Sequence, residues 1–278
     1  MEFTKMHGIG NDFILLDLRK RTIRGLDEIV KKLSDRHFSI GFDQALILKN
    51  SDEADFRMDI YNADGGLVEM CGNGIRCLAK YIWDKGLSRK KVLAIETMAG
   101  IIRPERDGEL IRVDMGEPVL KASLIPVKTS ASLGDEFVER TFKAGNKTFS
   151  VTCVSMGNPH AVIFVDDVEG FPVSEYGPII EKDLDFPLGT NVEFAEVINS
   201  KRLKVRVWER GAGETLACGT GACAAVVAAN LTGKIKRTAI VELLGGELKI
   251  ELRKDNRVLM TGPAALSYTG ILDTKNLQ

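Results

Sequence analysis

The sequence predicts an α+β protein of two similar, pseudo-symmetric domains, each with many short strands around one buried helix. The first observation behind this is an element, Cys71-Gly-Asn-Gly, that returns as Cys218-Gly-Thr-Gly 147 residues later. The second is that the same offset pairs Asn11 with Asn158, Gln44 with Asn191, Asn62 with Glu209 and Gly86 with Gly233. These are polar or glycine positions, so a shared apolar pattern does not account for the match. The third is length: 278 residues exceed one average domain of about 150 and favour two.

The elements around each cysteine follow the same order. Phe56, Met58 and Ile60 alternate with polar residues, as do Leu203, Val205 and Val207 at the same offset, and both runs read as half-buried strands. Glycine-rich turns follow, NADGGLVEM and ERGAGETLA, and then the Cys-Gly-x-Gly elements. From Ile75 to Trp83 and from Ala222 to Leu231 the chain is apolar on most faces and then reaches a glycine, the pattern of a buried helix with a glycine C-cap. Gly100 and Gly246, then Gly116 and Gly262, continue the repeat one residue out of step. The halves join near Gly116-Glu-Pro118, which gives an N-terminal domain of residues 1–117 and a C-terminal domain of residues 118–262. Residues 263–278 then pack back on the first domain. Segments 26–37 and 175–182 read as further helices.

Composition narrows the function. Lys and Arg number 38 against 39 Asp and Glu, so the chain lacks the global basic field of a nucleic-acid or anionic-membrane binder, and a small-molecule partner is expected. No apolar run approaches about 18 residues and the start, MEFTKMHGIGNDF, is no signal peptide, so a cytoplasmic protein is expected. The five cysteines are an odd set for a disulfide scaffold, and with three scattered histidines and no CxxC pair they do not form a spaced metal site. The stretch Gly219-x-Gly221-x-x-Ala224 fits a dinucleotide fingerprint, but polar, glycine-rich residues precede it where a buried strand should stand, and the first copy lacks it.

Only Cys71 and Cys218 obey the repeat; Cys77, Cys153 and Cys223 do not and read as packing residues. A cysteine at a helix mouth faces backbone N–H groups without intrahelical partners, a setting that binds anions and lowers a thiol pKa toward neutrality. A duplicated fold can aim two such ends at one α-carbon. One thiolate then removes the α-proton and the opposite thiol returns another, while N–H donors stabilise the carbanion spread into the neighbouring carboxylate. No cofactor and no metal is required. Asn11, Asn62, Asn158 and Asn191, with Gln44, Glu209 and Arg210, occupy repeat-matched places that form a polar pocket, Arg210 suited to a carboxylate and Glu209 to an ammonium. His160 reads either as a group tuning a thiol or as a structural histidine. A thiol-based metal or redox module would have to use the same cysteines and ranks behind the acid/base reading.

The motifs GIGNDF (8–13), FDQ (42–44), YNADG (61–65), EMCGNGIRC (69–77), GNPHAV (157–162), GTNVEF (189–194), ERGAGET (209–215) and ACGTGA (217–222) resemble those of the diaminopimelate epimerases over nearly the whole chain. The resemblance implies a cofactor-independent isomerase, free of pyridoxal phosphate, that interconverts LL- and meso-2,6-diaminopimelate for lysine and cell-wall precursor synthesis. It also implies a mostly antiparallel multi-stranded sheet wrapped around a central helix in each half, and a homodimer. By the same resemblance Cys71 and Cys218 are the two bases, and the backbone at Gly72-Asn73-Gly74 and Gly219-Thr220 takes the reacting carboxylate. Asn62, Asn158, Asn191 and Arg210 hold the distal carboxylate, Glu209 the distal amine, and Asn11 and Gln44 line the pocket, with His160 and Glu209 supporting catalysis. A racemase of proline, hydroxyproline or histidine with the same cysteine pair is the alternative.

Overall fold

In the computed structural model, which describes residues 1–128 and 134–273, a hairpin opens the chain. Ile9 and Gly10, at φ 49° and 91°, form its two-residue loop between β1 (Glu2–Gly8) and β2 (Asn11–Asp17). Two positive φ values match the right-handed strand twist, which explains a glycine here and delivers Asn11 at the first position of β2. After α1 (Leu26–Leu33) come β3 (Gln44–Lys49), β4 (Phe56–Asn62), the short β5 (Leu67–Val68), α2 (Gly72–Asp84), β6 (Ile95–Thr97), β7 (Gly100–Ile102) and the hairpin of β8 (Glu105–Asp107) with β9 (Leu110–Asp114).

The chain divides into two units, Met1–Val113 with the residues from Thr261 onward, and Asp114–Met260. In the first unit the strand order is β19-β1-β2-β3-β4-β6-β7, where β19 is Ala265–Ile271 and β5 pairs with β4. Thus β19 returns to the first unit by pairing antiparallel with β1. Residues 274–278, the end of the segment expected there, lie outside the described residues.

The second unit contains β10 (Arg140–Ala144), β11 (Lys147–Ser155), β12 (Pro159–Phe164), α3 (Val173–Glu181), β13 (Asn191–Asn199), β14 (Arg202–Glu209), β15 (Gly213–Thr215), α4 (Gly219–Leu231), β16 (Thr238–Leu243), β17 (Gly246–Leu252) and the first part of β18 (Val258–Gly262). Its strands run β10-β11-β12-β13-β14-β16-β17-β18, with β15 on β14. The duplication extends to strand direction. β1/β2, β3/β4 and β6/β7 are antiparallel while β2/β3 and β4/β6 are parallel, and β11/β12, β13/β14 and β16/β17 against β12/β13 and β14/β16 repeat that sequence.

Each unit is an α+β layer in which a helix fills a curled sheet. α2 packs on β1, β2 and β3, and α4 on β11 to β14, β16 and β17. α4 is Ala- and Val-rich and buried on nearly every side, so it gains its stability from packing rather than from one amphipathic stripe. Gly86 and Gly233, at φ 66° and 71°, follow the C-caps Lys85 and Thr232 and turn the chain out of the two helices.

Two helix boundaries differ from expectation. α1 ends at Leu33 rather than 37, because the Asp35 carboxylate accepts the N–H groups of His37 and Phe38 and folds the chain into an Asx turn. α3 begins at Val173, one residue after Pro172, whose fixed φ suits a helix start. The two glycine-rich turns also contain short strands, β5 and β15, because each doubles back on the strand before it.

Candidate active site

Cys71 and Cys218 are the N-cap residues of α2 and α4. Both have extended backbone, and each Sγ accepts the N–H three residues ahead, from Gly74 or Gly221, at 3.4 Å. The thiol therefore takes the place that Ser, Thr or Asp usually fills at a cap. The N–H groups of Gly72 and Asn73, and of Gly219 and Thr220, stand in first turns that carry no carboxylate, so each helix start presents donors beside a sulfur.

In the first unit the side chain of Asn11 links three site residues. Its Oδ1 accepts from Asn73 Nδ2 at 3.2 Å and from the Cys71 thiol at 3.8 Å, while its Nδ2 donates to Asp43 at 2.8 Å. Asp43 is held in turn by Arg36 and by the neighbouring Asp12, Lys5 and Arg36 network. Burial raises the Asp12 carboxyl, but hydrogen bonds from Arg36 and Lys5 outweigh it and bring the pKa down to about 2. Gln44 and Asn62 face each other across β3 and β4 and share a 2.9 Å hydrogen bond, while Gln44 Oε1 is buried with no hydrogen-bond partner among the described residues.

The second unit assembles its own set. His160 is fully buried between Asn158, whose Oδ1 lies 2.9 Å from Nε2, and Glu193, whose Oε1 lies 2.7 Å from Nδ1. Asn191 donates from Nδ2 to Pro159 O and accepts the backbone N–H of Arg210, so its amide fixes the start of the loop after β14. Arg210 lies exposed across Gly189 and donates to Leu188 O, and Glu209 accepts from the Thr215 hydroxyl at 2.5 Å. Thr220 Oγ1 is 3.5 Å from Cys218 Sγ. In the first unit Asn11 thus joins Asn73 to Cys71 while Gln44 pairs with Asn62, and in the second Thr220 and Glu209 lie near Cys218 while Asn158 holds His160 and Asn191 holds the backbone of Arg210.

The expectation of a lowered thiol pKa fails at Cys218. Burial pushes this thiol well above its ordinary range and the Glu209 and Glu193 carboxylates push it further, against smaller opposing hydrogen bonds from Thr220 and Gly221. The helix-start donors are present, but two carboxylates and the loss of water outweigh them. Neither Glu193 nor the fully buried Arg76 was expected at the site. Arg76 donates to Gly72 O, Asn73 Oδ1 and Pro263 O. Among the described residues no group of three or more His, Cys, Asp or Glu side chains could hold a metal ion, and no helix is long and apolar enough to cross a membrane.

The family model for diaminopimelate epimerase matches residues 3–121 and 152–267. The chain belongs to the diaminopimelate epimerase family. A diaminopimelate epimerase of Acetivibrio thermocellus is 50% identical over all of both chains. Among solved structures, a phenazine biosynthesis protein of the PhzF family from Bacillus anthracis aligns with a TM-score of 0.73 at 16% identity, covering 98% of this chain and 99% of its own. A hydroxyproline epimerase from Agrobacterium vitis aligns at 0.71 and 13% identity, covering 97% and 90%. At such low identity these two likenesses establish the shared fold alone.

Two expected results follow from the geometry. A methyl group at Gly221 would sit 2.7 Å from Glu193 Oε1, which His160 pins in place, so Gly221→Ala is expected to lose about 1–3 kcal/mol in chemical unfolding. An unchanged urea midpoint would mean that the carboxylate is free to move. Burial also raises the Cys77 thiol from 9.0 to about 12, with Arg76 opposing in part. Because the folded pKa lies above the unfolded one, this stabilisation is complete below pH 9.0 and is lost as pH rises toward 12, at about 1.4 kcal/mol per pH unit. Cys77→Ala should therefore flatten the alkaline fall in urea midpoint, and parallel curves for variant and wild type would contradict it.

Proposed function

We propose that this protein is a cofactor-independent epimerase that interconverts LL- and meso-2,6-diaminopimelate through Cys71 and Cys218. The observation that carries the reading is the pair of cysteine N-caps at matching positions of two repeated units, in a chain of the diaminopimelate epimerase family. One sulfur, as thiolate, takes the α-proton and becomes a thiol. The electron pair left on the α-carbon spreads into the adjacent carboxylate, where N–H groups of the first turns of α2 and α4 receive the growing charge. The other sulfur, as thiol, delivers its proton to the opposite face and becomes the thiolate. Atoms and charge balance without an oxidant or an electron sink.

A substrate with two amino-acid ends needs one end fixed while the other reacts. In this reading Arg210 with Asn62, Asn158 and Asn191 receives the distal carboxylate and Glu209 the distal amine, while Asn11 and Gln44 line the pocket and His160 supports the chemistry. The exposed position of Arg210 and the polar ends of β4 and β14 support that division. We place the protein in the cytoplasm as a homodimer that binds neither nucleic acid nor membrane. The edge strand β19, with Leu266, Tyr268 and Ile271 exposed, supports self-association, which sedimentation would measure.

Incubation with LL-diaminopimelate in deuterated water, followed by proton NMR and chiral chromatography, tests the function. The expected result is meso product carrying α-deuterium. Faster exchange of proline, hydroxyproline or histidine than of diaminopimelate would move the protein to another substrate, and no exchange of any amino acid would end the reading.

A further inference from the structure

The two cysteine-bearing turns share a backbone and differ in what lies beneath it. A side-chain carbon built at Gly74 would lie 2.9 Å from Leu46 Cδ2 and 3.5 Å from Phe13 Cε1. At Gly221 the same atom would lie 2.7 Å from Glu193 Oε1 and 3.3 Å from Cys218 Sγ. Leu46 and Glu193 are 147 residues apart, as are Phe13 and His160, and both pairs occupy matching rungs of the repeated ladders. One spot under the first helical turn is thus hydrocarbon in the first unit and carboxylate in the second. The repeat changes charge in the same direction elsewhere. Asn62 becomes Glu209, and the cation Arg76 in α2 becomes Cys223 in α4.

Glu193 is fully buried, and its Oε2 has no hydrogen-bond partner among the described residues. Such an oxygen is costly to keep in a core, which makes a packing role alone a poor account of it. The two distances at Gly221 bound the separation of Glu193 Oε1 from Cys218 Sγ at about 6 Å, within the range where a like charge disfavours ionisation. The other groups around Cys218 are Thr220 and the Gly221 N–H on α4, Glu209 at the end of β14, and, beyond Glu193, His160 on β12 and Cys153 on β11. Around Cys71 stand the Gly74 N–H, Asn11 and Asn73, with Arg76 and Cys77 behind.

We propose that Glu193 is a positioning residue for the shared proton, keeping Cys218 as the thiol of the resting enzyme so that Cys71 is the first of the pair to ionise. This rests on the two-thiol function above. Free enzyme in that state acts on the epimer whose α-hydrogen faces Cys71. Turnover leaves Cys71 as thiol and Cys218 as thiolate, and the proton must pass back to Cys218 before the next cycle. Glu193 drives that return by disfavouring the Cys218 thiolate.

The test is alkylation of the intact protein by iodoacetamide from pH 5 to 11, read at each cysteine by peptide mass spectrometry. Because the thiolate reacts, the pH at which each rate rises gives the order in which the two residues ionise whatever their accessibility, and a rate still climbing at the alkaline end places that midpoint above the window. Cys71 is expected to titrate about one pH unit or more below Cys218, and Glu193→Gln to lower the Cys218 midpoint by about one unit while leaving Cys71 in place. A Cys218 midpoint at or below that of Cys71 in wild type overturns the proposal, whether or not the variant folds. So does an unmoved Cys218 midpoint in Glu193→Gln protein whose near-ultraviolet circular dichroism is native. The titration uses no substrate, so failure of the epimerase assay on the same sample counts against the function and not against this ordering.

Discussion

Cys71→Ala and Cys218→Ala are each expected to lower epimerisation of LL-diaminopimelate by about 10³-fold or more, at the upper end of what one acid or base contributes. Inversion needs both faces, so either deletion stops it. The folds should persist, because an alanine N-cap loses one 3.4 Å sulfur contact and typically costs about 1 kcal/mol. The variants should nevertheless differ from a dead protein. Each retains one thiol, which can remove and return a proton on its own face, so in deuterated water each variant should exchange the α-hydrogen of one epimer without inverting it. The two should prefer opposite epimers. Turnover within a few-fold of wild type in either variant would remove that cysteine from the mechanism.

The sequence revealed the cysteine pair and the repeat because both depend on residues fixed by backbone geometry. Gly74 and Gly221 stand where a side-chain carbon would collide, and Gly86 and Gly233 where φ is positive, so the offset of 147 is written mainly in glycines and polar loop residues. The ends of α2 and α4 were legible for the same reason. Their starts were legible from the cysteines, which were expected at helix mouths with glycine-rich first turns, although the apolar runs begin only at Ile75 and Ala222; the helices begin at Gly72 and Gly219, where tertiary packing overrides the low helix propensity of glycine. Glu193 was hidden differently. It lies between Val192 and Phe194 in a strand buried on both faces, where alternation no longer separates inside from outside. A carboxylate in such a run was the available signal, and its partner His160 lies 33 residues away, joined to it only by the parallel pairing of β12 with β13. The Cys218 thiol departs from the helix-start expectation because burial raises it and because Glu209 and Glu193 reach that sulfur from two other strands, beyond the local turn.

Arg210→Met is expected to lower kcat/KM for LL-diaminopimelate by about 30-fold to several thousand-fold, the equivalent of roughly 2–5 kcal/mol for a charged partner removed from a hydrogen-bonded carboxylate. Arg210 is suited to that role because its backbone N–H is tied to Asn191 and its Nη1 to Leu188 O, which leaves the rest of a planar guanidinium to present to a ligand. The Gly189 turn, at φ 69°, lies 3.1 Å from its Cδ at the point where a side chain would begin, so the arginine stem is laid over glycine and held in one direction. Methionine keeps most of that stem contact and removes the charge. The two thiols are untouched, so any slow α-exchange of amino acids lacking a second carboxylate should survive at the wild-type rate. Normal diaminopimelate kinetics in Arg210→Met would take the distal carboxylate away from this residue while leaving the two-thiol mechanism standing, because that mechanism rests on the repeated cysteine caps and not on the clamp.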